Sequence, residues 1–392
     1  MTQRAALALC AGLALAGTAA AEAPWEAKAE GSIRVAVFNV GMVRKGAGLL
    51  AAEIEAGSSQ VDAVAEIILR VRPDILLLIK FDRDPAHRPL AGFAGRLRAG
   101  VAGLPGLDFP FLYQGPVNAG LPSGLDLDGD GRSYGPRDAF GYGRFPGQHG
   151  MALLSRLPID FDRIRSFQRF RWAAMPDADR PVNPDGTPFH TDAVWQALRL
   201  SSASHWDVPV ALPGGQVLHL LAAHATPPVF DGPEDFNGRR NADEIRLLGA
   251  IAAGAGWPED DRGRRGGLEA GEPFVIAGDL NSDPFDGDSR HEAIAALLDD
   301  PLLQDPAPAS AGGAEASDPG HAGPAALDTA DFRDGAPGNL RVDYVLPSGG
   351  LRVTGAGVFW PVGADPLARL VAGGKPPASS DHRLVWVDVV AE

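Results

Sequence analysis

The chain has 392 residues, 45% hydrophobic, 22% charged and 7% aromatic, the balance of a folded globular protein with a sizeable core. Its formal charge of −15 disfavours tight, nonspecific binding to duplex nucleic acid while leaving room for a local basic patch or a small phosphate ester. The single cysteine, Cys10, falls in a segment expected to be removed, which excludes disulfides, a cysteine nucleophile and a cysteine-based zinc site from the mature protein.

Residues 1–21 read as a secretory signal. Arg4 precedes an apolar run from Ala5 to Ala16, and Ala19-Ala20-Ala21 offers a cut after Ala21. The run is short for a membrane span and no charged stop follows it. Leu9 stands where a lipoprotein would place a small residue before Cys10. The expectation is a periplasmic or secreted monomer without a membrane span, residues 22–392 forming one domain, its charge one unit more negative once Arg4 leaves.

Ser32 to Asn39 alternates Ile33, Val35 and Val37 as a strand does. A helix is predicted within 47–72, with Val64, Ile67, Ile68 and Val71 on one face and a stop at Pro73. The continuous run Ile75 to Ile79 predicts a strand buried on both faces. Residues 114–148 are rich in Gly, Pro and Asp without periodicity, a loop too long for an ordinary connection. Strands are predicted at 150–155, 158–164, 207–212 and 216–224, a polar loop at 227–241 and a helix at 242–253. Phe274-Val275-Ile276-Ala277 is a short β-branched strand stopped by Gly278 and followed by Asp279, Asn281 and Asp283, which serve equally as a turn or as a polar site over a rigid floor. Residues 305–331, rich in Ala, Gly, Pro and Ser, are expected to be flexible. The last strands are predicted at 340–346, 351–360 and 383–390.

Taken singly, each polar strand end has a plain structural explanation as turn, cap or satisfied core residue. Together they form a series: Asn39, the Lys80 to Asp82 region, His224, Asp279 with Asn281, Asp343 in RVDY, and Ser380-Asp381-His382. This order, with GDLN at 278–281 and SDH at 380–382, resembles the endonuclease/exonuclease/phosphatase family, the DNase I-like fold, over about residues 32–390. The resemblance implies an α/β four-layer sandwich of two packed, mostly antiparallel sheets flanked by helices. It implies a metal-dependent phosphoesterase, acting on a phosphorylated small molecule or nucleic-acid fragment without a stable duplex complex.

A phosphate ester repels nucleophiles, so its hydrolysis needs a cation, an activated water and hydrogen-bond donors. On the resemblance, His382 is the general base, oriented by Asp343. Asp279 positions water, Asn281 donates to a phosphoryl oxygen and His224 stabilises the developing charge or assists the leaving group. Asn39 and Asp381 would help hold Mg²⁺ or Mn²⁺. The family's metal-binding Glu is replaced by Lys80, which leaves three readings: Asp82 substitutes for the Glu, the Lys80 ammonium takes the metal's place and contacts phosphate, or the protein binds phosphate ligands without turnover. Arg239, Arg240 and Asn241 are candidates to return to the site and clamp phosphate, or else to pair with nearby carboxylates. Arg144 is a further candidate of that kind. Asp126, Asp128 and Asp130 open a loop like that of a structural Ca²⁺ site, without the helices or the final Glu of an EF-hand.

Overall fold

A computed structural model of the protein describes Trp25 and residues 28–334, 337–374 and 376–391. The expected signal segment and Cys10 lie outside the described residues. Two large sheets face each other. The first runs in the order β12 (Leu351–Val358), β13 (Val385–Ala391), β1 (Ile33–Met42), β2 (Ile75–Phe81), β4 (Met151–Ser155), β3 (Phe111–Tyr113). The second runs β11 (Asp343–Pro347), β8 (Phe274–Asp279), β7 (Val217–His224), β6 (His205–Ala211), β5 (Arg165–Ser166), and a small pair joins β10 (Asn339–Leu340) to β9 (Ala330–Asp331). Only β1 with β2 and β7 with β8 pair in parallel; the other named pairs are antiparallel, as the expected architecture requires.

Period-two alternation divides the second sheet between two cores. Leu220, Ala222, Val275, Ala277 and Val345 point into the space between the sheets. Leu221, Ala223, Phe274, Ile276, Tyr344 and Leu346 pack outward on the helices Phe236–Ala252 and His291–Leu298. Gly278 lets β7 and β8 lie close together: a Cβ there would meet the Ala223 carbonyl oxygen at 2.2 Å.

Several predicted elements are revised. Gly57, at φ +80°, breaks the first helical region into Leu49–Ala56 and Ser59–Val71, the second capped by Ser58, whose Oγ accepts from the Val61 amide at 3.3 Å. Residues 158–164 form no strand but a turn with one bridge from Ile159 to Val210. The expected loop at 227–241 gives way at Phe236 to a helix, hidden because Arg240, Asn241, Asp243 and Glu244 are polar yet buried. The expected flexible segment 305–331 is instead built from short elements, the helix Ala311–Glu315, a turn of 3₁₀ helix at Ala325–Leu327 and β9, and it docks through the Gly312 amide on the Trp360 carbonyl at 3.0 Å. Among the described residues, no helix is long and apolar enough to cross a membrane.

Between two interior strands of the first sheet, at the end away from its polar strand ends, Arg34 is clamped to Asp388, Nε to Oδ1 at 2.7 Å and Nη2 to Oδ2 at 2.8 Å, with side chains 2% and 3% exposed. The two residues are direct partners across β1 and β13. Arg34→Ala would leave a buried carboxylate without its cation, and chemical denaturation is expected to show a loss of about 3–5 kcal/mol. A change below about 1 kcal/mol would mean the pair is solvated.

Candidate active site

Strand register assembles the site. His224 of β7 pairs with Asp279 of β8, and Asp279 pairs with Asp343 of β11, so the three side chains stand in one row. Their parity is that of Ala222, Ala277 and Val345, which points the row at the facing sheet. From that sheet Asn39 reaches across, its Nδ2 donating to Asp279 Oδ2 at 2.8 Å and lying 3.2 Å from His382 Nε2.

His382 arrives on the segment leading into β13. Ser380 pins it there, its hydroxyl donating to the Asn39 carbonyl at 2.6 Å and accepting from the His382 amide at 3.1 Å. His382 Nδ1 meets Asp343 Oδ2 at 2.8 Å, and Nε2 stands 3.9 Å from Asp279 Oδ2. Thr329 completes this group. Its hydroxyl donates to Asp343 Oδ2 and accepts from the Val342 and Asp343 amides, each at 3.0 Å. Phe332 stands edge-on to the His382 ring at 5.3 Å. Asp279, Asp343, His382 and Asn39 are all fully buried.

The electrostatics of this group oppose burial. Burial pushes Asp279 up, but His382, His224, Lys80 and the Asn39 hydrogen bond together hold it below the usual carboxylate value. Burial pushes Asp343 up to about 6, with Asp279 adding to the effect and His382 opposing it. Burial works against charge on His382, yet Asp343 and Asp279 outweigh it and raise the imidazole above its ordinary value. In the His382–Asp343 pair the proton therefore rests on the imidazole. His224 behaves oppositely: burial, with Lys80, His149 and His382 adding, holds it down to about 3 against the pull of Asp279. Its buried Nε2 has no hydrogen-bond partner among the described residues and lies 3.8 Å from Asp279 Oδ2.

The remaining predicted residues divide sharply. Asn281, half-buried at φ +48°, stays at the mouth, its Nδ2 donating to the Ala225 carbonyl at 2.9 Å. Asn241 does not reach in as a phosphate ligand. Its Nδ2 donates to the carbonyls of Thr226 and Leu280, both at 2.8 Å, and so ties together the loops that follow His224 and Asp279. Arg239 pairs with Asp179 and donates to the Glu234 carbonyl, and Arg240 donates to the carbonyls of Leu200, Phe140 and Arg199. Both guanidinium groups serve the outer loops rather than a phosphate.

The residues predicted for a divalent cation do not converge. Asn39 turns its Nδ2 toward the carboxylate, while its Oδ1 accepts from the Gly41 amide at 3.2 Å. Asp82 accepts from the amides of Arg44 at 2.7 Å and His149 at 3.1 Å, and burial raises it to about 6. Asp381 is exposed. Ligand atoms of Asp279, Asp343 and His382 do lie within 4.8 Å of one another, a donor set of the kind that holds a metal ion. That set, however, is already engaged in the Asp343–His382 and Asn39–Asp279 hydrogen bonds, and the charge of Lys80 acts on it. The divalent cation predicted on Asn39, Asp82 and Asp381 therefore finds its candidate ligands in Asp279, Asp343 and His382 instead, beside the charge of Lys80. Asp126, Asp128 and Asp130 do come together, and their carboxylates accept from the loop's own amides at Gly129, Gly131, Asp130 and Arg132.

Thr329, Phe332 and His149 were not singled out from the sequence. Thr329 lies in the stretch 305–331, whose composition leads to the expectation of a flexible segment. His149 carries a usable signal, a histidine immediately before the strand predicted at 150–155.

The family model described as the Endonuclease/Exonuclease/phosphatase family matches residues 36–382. No curated protein matches the chain. Among solved structures, the endonuclease/exonuclease/phosphatase from Beutenbergia cavernae DSM 12333 is 18% identical with a TM-score of 0.50, covering 92% of this chain and 72% of that one. TDP2 from C. elegans is 16% identical, TM-score 0.45, covering 92% and 75%, and a mannosyl-6-phosphatase of Bacteroides thetaiotaomicron VPI-5482 is 13% identical, TM-score 0.45, covering 92% and 100%. At these identities the first likeness speaks for the fold alone.

Unfolded imidazoles take up protons near pH 6.5, whereas folded His149 and His224 refuse them until about 4 and about 3. The stability they contribute is complete above pH 6.5 and is lost as pH falls through those folded values. Replacing both with Asn should flatten the decline of unfolding free energy between pH 6.5 and 3, measured on chelator-treated protein. An unchanged slope would contradict these assignments.

Proposed function

We propose that this chain, which belongs to the endonuclease/exonuclease/phosphatase family, is an exported phosphate-ester hydrolase in which His382, oriented by Asp343, activates the attacking water. One observation carries this reading: the His382–Asp343 contact of 2.8 Å stands beside a second buried carboxylate, Asp279, on the same row. An imidazole held in one tautomer by a carboxylate, with its other nitrogen turned to a site carboxylate, is arranged to accept a proton from water.

The chemistry then follows from the side chains. Asp279 accepts one hydrogen bond from the water. The water oxygen attacks phosphorus while its proton passes to His382 Nε2, and Asp343 stabilises the imidazolium that results. As the ester P–O bond breaks, negative charge grows on the leaving oxygen. His224 is held toward the neutral form, so it supplies a hydrogen bond from its unpartnered Nε2 while the leaving oxygen takes its proton from solvent, to which His382 afterwards returns the one it accepted. Asn281 stands at the mouth where its amide can turn from the Ala225 carbonyl to a phosphoryl oxygen. Phosphorylated small molecules and short nucleic-acid fragments suit the acidic chain better than duplex nucleic acid.

The raised His382 supports a second reading, a phosphate-binding protein without turnover, because a protonated imidazole is no base. Assay against phosphomonoesters and phosphodiesters separates the two. The hydrolase reading expects kcat to rise with pH through a value above 6.5, as His382 loses its proton. Asp343→Asn should lower kcat about 10²–10⁴-fold and move that limb to lower pH, because Asp343 is the largest influence holding the imidazole up. Wild-type protein that binds phosphate but turns over neither ester class would establish the binder.

A further inference from the structure

Lys80 occupies an unusual place. Its neighbours Ile79 and Phe81 pair with Asn39 and Met42 of β1, so Lys80 sits where the β1–β2 register shifts, with φ at +53°. A lysine in the left-handed region persists only where its surroundings hold it. Here the Phe81 amide is tied to the Gly150 carbonyl at 2.9 Å and the Asp82 amide to the Met42 carbonyl at 3.3 Å. The Asp82 carboxylate then bridges the amides of Arg44 and His149, fixing the chain on both sides of the lysine.

The side chain that this bulge presents is half-buried, and among the described residues its ammonium makes no hydrogen bond and no ion pair within 4.0 Å. It is nonetheless close enough for its charge to act on Asp279, His382, His224 and His149. His149, also at φ +53°, is held down to about 4 by burial first and Lys80 second. Lys80 thus lies beside two imidazoles that burial, with its own charge adding, disfavours from protonation, and among the described residues the buried Nε2 of His224 meets no hydrogen-bond partner. An unpaired ammonium beside an unsatisfied ring nitrogen calls for an oxyanion.

We propose that Lys80, with His224 and His149 beside it, forms the phosphoryl-binding subsite, and that this chain holds its phosphate group with a protein ammonium in the place of a divalent cation. The inference rests on the phosphate-ester reading of the same site and names what supplies its positive charge. It accounts together for the lysine's missing partner, the orphaned Nε2 of His224 and the dispersal of Asn39, Asp82 and Asp381. Lys80 binds phosphoryl oxygens and so counts among the binding residues. Asp82 is a positioning residue that acts through the two amides it holds.

The test is calorimetric titration of the full chain with inorganic phosphate, after chelator treatment, with and without added Mg²⁺ or Mn²⁺. The expected result is phosphate binding in chelator, unchanged by either metal, weakened at least tenfold in Lys80→Met and retained in Lys80→Arg, with circular dichroism showing each variant folded. Lys80→Glu should lose phosphate binding in chelator and gain calorimetrically detectable uptake of Mn²⁺. Phosphate binding by wild type that appears only with a divalent ion, equal binding by Lys80→Met, or no phosphate binding under any condition would each overturn the proposal. A hydrolase that is inactivated by chelator and needs metal to bind phosphate would sink this inference and leave the hydrolase reading standing. Metal-free phosphate binding without turnover would do the reverse.

Discussion

The in-register pairing of β7, β8 and β11 is the constraint on which the site depends. Because side chains alternate with period two, a slip of one residue in either pairing would send His224 or Asp343 to the opposite face, into the helix-facing core. The register is protected from both sides: Ala222, Ala277 and Val345 fill the space between the sheets, while Ala223, Ile276 and Tyr344 fill the outer core. Gly278 lets the β7 and β8 backbones approach closely enough to keep the row tight. The hydrophobic pattern that builds the sandwich therefore also aims three polar side chains at one point, and Asn39 and His382 meet them from the other sheet.

That convergence brings Asp279 and Asp343 together where both side chains are buried. Like charges so placed are tolerable only if cations or donors stand close. His382 lies beside both, Asn39 donates to Asp279, and Thr329 donates to Asp343. From the end of β2 the charge of Lys80 acts on the same row, and among the described residues its ammonium makes no ion pair within 4.0 Å. The difference in protonation between His382 and His224 follows from the same geometry. One ring has a carboxylate in hydrogen-bond contact, and the other has Asp279 only at 3.8 Å, too far to offset its burial. Two histidines on one row are thus held in opposite senses, His382 toward the protonated form and His224 toward the neutral one.

Much of this was legible in the sequence because strands announce themselves by alternation and stop at polar residues. Asn39, His224, Asp279, Asp343 and His382 each ended or opened an apolar run, and the motifs GDLN and SDH gave the series its order. Helix 236–252 was harder, since its first half is polar; Arg240 and Glu244 are buried through hydrogen bonds that periodicity does not record. For the same reason Arg239 and Arg240 are legible either as phosphate clamps or as partners of nearby carboxylates, whereas in the fold Arg239 is bound by Asp179 and Arg240 by carbonyl groups contributed from distant loops. Thr329 was invisible because a small residue in an Ala-, Gly- and Pro-rich stretch carries no pattern. Lys80 stood out as an oddity of charge, but its backbone strain and its lack of an ion-pair partner are properties of the folded chain.

The central claim is that a phosphate group sits at this strand-end row, facing Lys80 and His224. It is tested most directly by a crystal structure of the full chain grown with inorganic phosphate and Mn²⁺, using the anomalous signal of manganese. The account predicts phosphate density within hydrogen-bond distance of the Lys80 ammonium and His224 Nε2, with no manganese peak among Asp279, Asp343 and His382. A manganese peak at those carboxylates, with Lys80 turned away from the phosphate, would contradict it.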